Sequence, residues 1–154
     1  MVTASPPPRS SSSKRSKRMT DSAYPQPTLT ATNAPLIEGW RRGELMMQHC
    51  VQCHAVIFFP RHMCPGCWST QLEWKRSSGR GHIVSYSHVY SQVSAPFAAE
   101  APTILAEITL DEGGAMLARI ISSEPATIAS GMPVELVPMP EAARFPLPTF
   151  RPVK

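Results

Sequence analysis

Four cysteines stand in two matched pairs, Cys50-x-x-Cys53 and Cys64-x-x-Cys67, and they are the only cysteines of the 154-residue chain. A two-residue spacing curls the backbone into a knuckle that aims two thiolates at one point. Two such knuckles joined by a short hairpin complete a tetrahedral four-thiolate metal site. Disulfides suit secreted chains, and no signal peptide is visible. Dithiol redox catalysis needs one such pair in a thioredoxin-like setting, which a second pair so close argues against. Zinc and iron both accept four thiolates. Zinc is favoured because nothing else points to a redox partner; it would be structural, with every coordination position filled. Iron would make the chain a rubredoxin-like electron carrier. His49, His54 and His62 flank the ligands, and with four well-spaced thiols available they are read as neighbours rather than as replacements.

No other constellation offers chemistry. The cysteines are committed to the metal, and the chain has no G-x-S-x-G elbow, no H-E-x-x-H and no glycine-rich phosphate loop. The chain is therefore expected to be non-catalytic on its own.

The net charge of +4 is unevenly spread. Arg9, Lys14, Arg15, Lys17 and Arg18 carry five positive charges within the first twenty residues, which hold no acid. The remainder has ten bases and eleven acids, so the body is close to neutral. A nucleic-acid-binding ribbon and barrel is an alternative function, but this body lacks the basic footprint it needs. No apolar run approaches the ~18 residues of a membrane helix. The basic start has no hydrophobic segment after it and does not read as a secretory signal. Reduced thiols on a metal fit a cytoplasmic setting.

Three parts follow along the chain. Residues 1–34, rich in Ser, Pro and Thr, are expected to form a disordered basic tail. Residues 35–76 hold a short helix and the metal ribbon. In residues 34–48 (APLIEGWRRGELMMQ) Leu36, Ile37 and Trp40 make an apolar helical stripe that Met47 would continue, with Gly39 and Gly43 as interruptions. Residues 55–60 (AVIFFP) form a β-prone run that must turn near Pro60 and Arg61. Residues 77–154 hold a β-domain with a C-terminal extension. Strands are expected over residues 71–76, 81–90, 103–110, 115–121 and 134–137, with Gly81 allowing a bend or bulge and the DEGG of residues 111–114 making a hairpin turn. About five strands without a long intervening helix suit a small Greek-key barrel. The proline-punctuated end from Pro138 onward would wrap over the surface.

Several of these pieces occur in a telling order: Glu38-Gly39 through Gln48, Phe59-Pro60-Arg61, Cys64-Pro65-Gly66-Cys67 and Leu72-Glu73-Trp74. They continue with Ser78-Gly79-Arg80-Gly81, Leu110-Asp111-Glu112-Gly113, Gly131-Met132-Pro133-Val134 and Phe150-Arg151-Pro152. Over residues 35–153 the chain resembles the bacterial and archaeal proteins that join a rubredoxin-like zinc ribbon to an OB-fold. The resemblance implies a mainly β fold: a short N-terminal helix, a four-cysteine zinc ribbon and a five-stranded OB-fold barrel. It also implies an accessory subunit for thiolases of the sterol-carrier type, for steroid side-chain aldolases or for MaoC-like hydratases, with the barrel helping to hold an acyl-CoA thioester. Arg61, Arg76, Arg80 and Arg119 would then be candidates for the CoA phosphates, with Phe97, on the long loop of residues 91–102, and Trp74 and Tyr86 for its apolar parts. Family ribbons commonly carry glycine after the second cysteine of each knuckle, where left-handed backbone occurs. His54 and Trp68 stand there instead, and Trp68 should bear the greater strain.

Overall fold

The structure, a computed structural model, describes residues 24–91, 95–144 and 147–153. Most of the expected tail, residues 1–23, lies outside the described residues. Residues 24–33 lie against the folded part: Tyr24 is buried, its ring 5.3 Å from that of Phe97. No helix among the described residues is long and apolar enough to cross a membrane.

The helix α1 (Ala34–Arg41) starts with proline in its first turn, where the missing N–H costs nothing. Ahead of it Asn33 ties down the approach, accepting from the Thr30 amide at 2.8 Å and donating to the Thr28 carbonyl at 3.0 Å. Ile37 and Gly39 are buried. A Cβ at Gly39 would sit 2.4 Å from the Met46 side chain, so glycine sets how closely α1 meets the next strand. Gly43, at φ +75°, turns the chain out of the helix. Met47 therefore does not extend the helical stripe. It belongs to β1 (Met46–Cys50), where it is fully buried.

The ribbon is a three-stranded sheet in the order β2-β1-β3, with β2 (Val56–Ile57) and β3 (Leu72–Arg76) both antiparallel to β1. The barrel uses β4 (Arg80–Val89), β5 (Thr103–Leu110), β6 (Ala115–Ile120), β7 (Pro133–Leu136) and β8 (Thr149–Pro152). It closes in the order β4-β5-β6-β8-β7. All its pairings are antiparallel except β6 with β8. This is the five-stranded closed barrel of an OB-fold. The β5–β6 hairpin turns on Gly113 and Gly114 at φ +93° and +82°, as its DEGG sequence requires.

Two expectations are corrected. The strand through Trp74 belongs to the ribbon sheet, and the fifth barrel strand is β8, in the segment read as a surface wrap. Proline spacing hides it, yet Thr149 and Phe150 are completely buried, and Phe150 pairs with both Ile120 and Leu136. The bulge lies at Val84, between the pairs Ile83–Ile108 and Ser85–Glu107, not at Gly81. Gly81 serves close approach instead, since a Cβ there would meet the Thr109 carbonyl oxygen at 2.3 Å.

Ribbon and barrel share one core. Leu45, Met47 and Phe58 of the ribbon are buried together with Ile83, Ile108, Met116, Val134 and Phe150 of the barrel. The link between them is pinned by Glu112, whose carboxylate accepts the Ser78 amide at 3.0 Å and the Ser78 hydroxyl at 2.9 Å. Because Phe150 closes the barrel from an unpromising segment, Phe150→Ala should destabilise the protein by roughly 3–5 kcal/mol. Equilibrium urea unfolding checks this; a loss below about 1 kcal/mol would mean β8 is not integral to the core.

Candidate metal centre

Each knuckle is built by its own backbone. The His54 amide donates to the Cys50 carbonyl and the Trp68 amide to the Cys64 carbonyl, both at 3.0 Å. His54 and Trp68 take φ values of +59° and +63°, the left-handed geometry expected after the second cysteine of each pair. Two residues with side chains therefore hold a backbone shape in which glycine is at ease. Trp68 is 73% exposed and gains little packing in return.

The knuckles meet. The four Sγ atoms of Cys50, Cys53, Cys64 and Cys67 all lie within 4.8 Å of one another. Cys50 and Cys67 are 3.5 Å apart, as are Cys53 and Cys64. A tetrahedron of sulfurs about 2.3 Å from a central ion has edges of about 3.8 Å, so the cluster is of the size that holds one metal.

Electrostatics argue the same way. The Cys53 amide, helped by that of Gln52, pulls the Cys50 thiol down to about 6 against the opposing effect of burial. The Cys67 and Gly66 amides hold Cys64 below the usual thiol range, with Gly66 N 3.4 Å from its sulfur. The other two go up. The Ala55 amide favours the Cys53 thiolate, but the adjacent Cys64 sulfur and burial outweigh it. The Ser69 amide favours that of Cys67, but Cys53, burial and the remaining cysteines push it up to about 12. Four sulfurs this close cannot all ionise alone; a divalent cation removes the conflict.

The flanking histidines stay outside the sulfur cluster. His49 and His54 border a hollow of about 150 Å³ with Cys50, Glu73 and Lys75, and His62 lies 3.0 Å from the Thr32 hydroxyl. Between the knuckles, the buried side chain of Gln48 clamps the Arg61 backbone: Nε2 donates to the carbonyl at 3.0 Å and Oε1 accepts the amide at 2.8 Å. That loop presents Phe59 on one side and Arg61 on the other. Sequence reasoning missed Gln48, whose only signal is a polar residue within an otherwise buried strand.

The five candidate ligand residues are not brought together. Arg61 lines a cavity of about 350 Å³ with His62, Leu72 and Trp74. Arg76 is exposed near Glu44 at 3.5 Å. Arg80 is exposed where β4 meets β7. Arg119 is largely buried and bound by Glu100, which also accepts from the Tyr24 hydroxyl. Phe97 packs on Tyr24 from a short helix, α2 (Ala95–Ala98). Arg119 and Phe97 thus belong to a structural cluster fastening Tyr24, α2 and Glu100 to the barrel.

Two family models match: the rubredoxin-like zinc ribbon domain of ChsH2 over residues 38–73, and its C-terminal OB-fold domain over residues 74–138. A probable enoyl-CoA hydratase alpha subunit of Thermomonospora curvata is 29% identical over 128 residues. The match covers 83% of this chain and 40% of that protein. A DUF35 domain-containing scaffold protein of Methanothermobacter thermautotrophicus is 35% identical over 106 residues, covering 66% of this chain and 79% of the relative. Among solved structures, a chain of an Ltp2-ChsH2(DUF35) aldolase superposes with a TM-score of 0.69 at 28% identity, covering 82% of this chain and 98% of that one.

Two outcomes are expected at this centre. Adding zinc to metal-free protein at neutral pH should release at least two protons, from the raised Cys53 and Cys67, and acid should displace the metal by reprotonating the thiolates. Proton release in weak buffer and metal content against pH measure both; proton-neutral binding would contradict the four-thiolate site. Trp68→Gly should be more stable than Trp68→Ala by about 1 kcal/mol, because only glycine relieves the left-handed backbone. Chemical denaturation of the metal-loaded variants reads the difference.

Proposed function

Because the chain belongs to the ChsH2/DUF35 family of zinc-ribbon and OB-fold proteins, we propose that it is a non-catalytic accessory subunit of an acyl-CoA-processing enzyme complex. In this reading it binds a thiolase-like, aldolase or hydratase partner and helps that partner hold its acyl-CoA thioester. The observation that carries the reading is the match over 98% of a chain from a structure named as an aldolase. The similarity to an enoyl-CoA hydratase alpha subunit supports it. The working units are residues 35–76 and 77–154, with residues 1–34 as an appendage.

The metal is zinc and its role is structural. Held by Cys50, Cys53, Cys64 and Cys67, it supplies cohesion to a ribbon too small to fold on its own apolar contacts. It leaves no open coordination position for substrate.

Of the proposed acyl-CoA contacts, Arg61 has the most suitable surroundings. Its cavity combines a guanidinium with the half-buried indole of Trp74 and the Leu72 side chain, a cation for phosphate beside an aromatic face for the adenine ring. Arg76 and Arg80 are exposed cations outside this cavity, whereas Arg119 and Phe97 contribute through the fold.

Full-length protein purified from its native host should carry with it an enzyme recognisable by sequence as thiolase-like, aldolase or hydratase. The complex should bind lauroyl-CoA, and Arg61→Ala should weaken that binding about tenfold or more, as loss of one charge-assisted contact implies. Calorimetry on the complex reads it. A chain that purifies without any acyl-CoA enzyme, or that binds RNA in a salt-sensitive way through residues 35–154, would contradict the reading.

A further inference from the structure

The largest hollow of the barrel among those described lies not at the cysteines but on the outer face of β4, β5 and β6. It has a volume of about 700 Å³. Register fixes its floor: Ser85 opposes Glu107 and Ser87 opposes Leu105 across β4 and β5, and Glu107 opposes Leu117 across β5 and β6. Cross-strand partners share a face, so these side chains line one surface, with Val89 at its edge. Phe59, from the loop between the knuckles, reaches over from the ribbon to form one wall. Its ring meets that of the buried Phe58 edge-on at 4.9 Å, and the loop itself is clamped by Gln48. The groove is therefore made jointly by ribbon and barrel.

Its chemistry is unusual for the face on which OB-folds bind their ligands. Phe59 is 61% exposed and Leu117 45% exposed, an expense of apolar surface that marks contact sites when contiguous. Among the described residues the lining holds no Lys or Arg, and its charged residue is Glu107. The neighbouring cation on this face, Arg119 opposite Leu105, is bound by Glu100. Glu107 has the Ser85 hydroxyl at 3.4 Å as its hydrogen-bonding neighbour. A nucleic acid or the phosphates of CoA would meet a carboxylate where they need a cation. An apolar protein segment carrying a lysine or arginine would meet both complementary apolar surface and an opposite charge.

We propose that this groove is the docking site for a segment of the partner enzyme, with apolar side chains against Phe59, Leu105 and Leu117 and a basic side chain paired with Glu107. The proposal rests on the accessory-subunit reading above and specifies which surface serves it. It also separates the two duties of the loop between the knuckles: Phe59 faces the partner, and Arg61, on the other side, faces the nucleotide end of the ligand.

The test uses the full-length chain in its native host, with Leu117 replaced by the photo-reactive amino acid p-benzoylphenylalanine and cross-linked peptides identified by mass spectrometry. The expected product joins position 117 to a peptide of the co-purifying acyl-CoA enzyme that contains a lysine or arginine. Glu107→Lys should then weaken the complex at least tenfold, and changing that basic residue of the enzyme to glutamate should restore binding. Leu29→Arg, an equally exposed position in the N-terminal segment (Leu29 is 49% exposed), should leave affinity unchanged. If the enzyme co-purifies but Glu107→Lys and Leu117→Arg bind it like wild type, the groove proposal is wrong while the accessory reading stands. A cross-link to a second copy of this chain, or loss of lauroyl-CoA binding by the isolated chain in Leu117→Arg, overturns it as well. Absence of any acyl-CoA enzyme from the purified material removes both.

Discussion

Four sulfur atoms within 4.8 Å of one another impose a charge conflict, because without a cation they cannot all be thiolates. Backbone amides draw Cys50 and Cys64 toward the thiolate, and the resulting crowding drives Cys53 and Cys67 toward the thiol. A cation at the centre makes the same amides and the same crowding compatible. The consequences spread outward because the ribbon is not a separate bead. β1 runs from the first knuckle directly into the common core through Met47, and Phe58 follows it from the loop between the knuckles. Gln48, between those contacts, holds Arg61 by two backbone hydrogen bonds. A metal held by the four cysteines would thus brace a loop that carries none of its ligands.

That loop divides two chemically distinct surfaces. On the Arg61 side lie a cation, an imidazole and the Trp74 indole; on the Phe59 side lie an apolar groove and a carboxylate. A phosphate-bearing ligand and an apolar, basic protein segment have opposite requirements, which is why the proposed reading assigns the first to the Arg61 side and the second to the Phe59 side. An accessory subunit that stands between an enzyme and its acyl-CoA needs this kind of division. The near-neutral body is consistent with such a role, since selectivity comes from local charge and not from a global field.

Much of the metal centre was legible because its signals are short-range. Cysteine spacing, the Pro65-Gly66 turn and the left-handed positions at His54 and Trp68 depend on a few consecutive residues. The hairpin at residues 111–114 and the limits of β5 were legible for the same reason. What escaped depends on partners distant in sequence. β8 is four residues that follow Pro148 and end on Pro152, and it becomes a strand only because β6 and β7 offer it two open edges. Met47 reads equally as helix or strand until the close approach at Gly39 and the turn at Gly43 separate α1 from β1. The resemblance drew attention to arginines, yet Arg119 is bound by Glu100, nineteen residues earlier, and Phe97 by Tyr24. The outer groove has no sequence signature, because Phe59, Glu107 and Leu117 come from three elements and meet only across a register.

In the proposed role the metal supports function by building a platform and not by reacting. Cys64→Ser in the full-length chain, assayed for metal content and for affinity toward the co-purifying acyl-CoA enzyme, tests it most directly. Metal and partner binding should be lost together, because the ribbon that carries Phe59 and Arg61 no longer holds its shape. A metal-free Cys64→Ser protein that stays folded and binds the enzyme like wild type would contradict it.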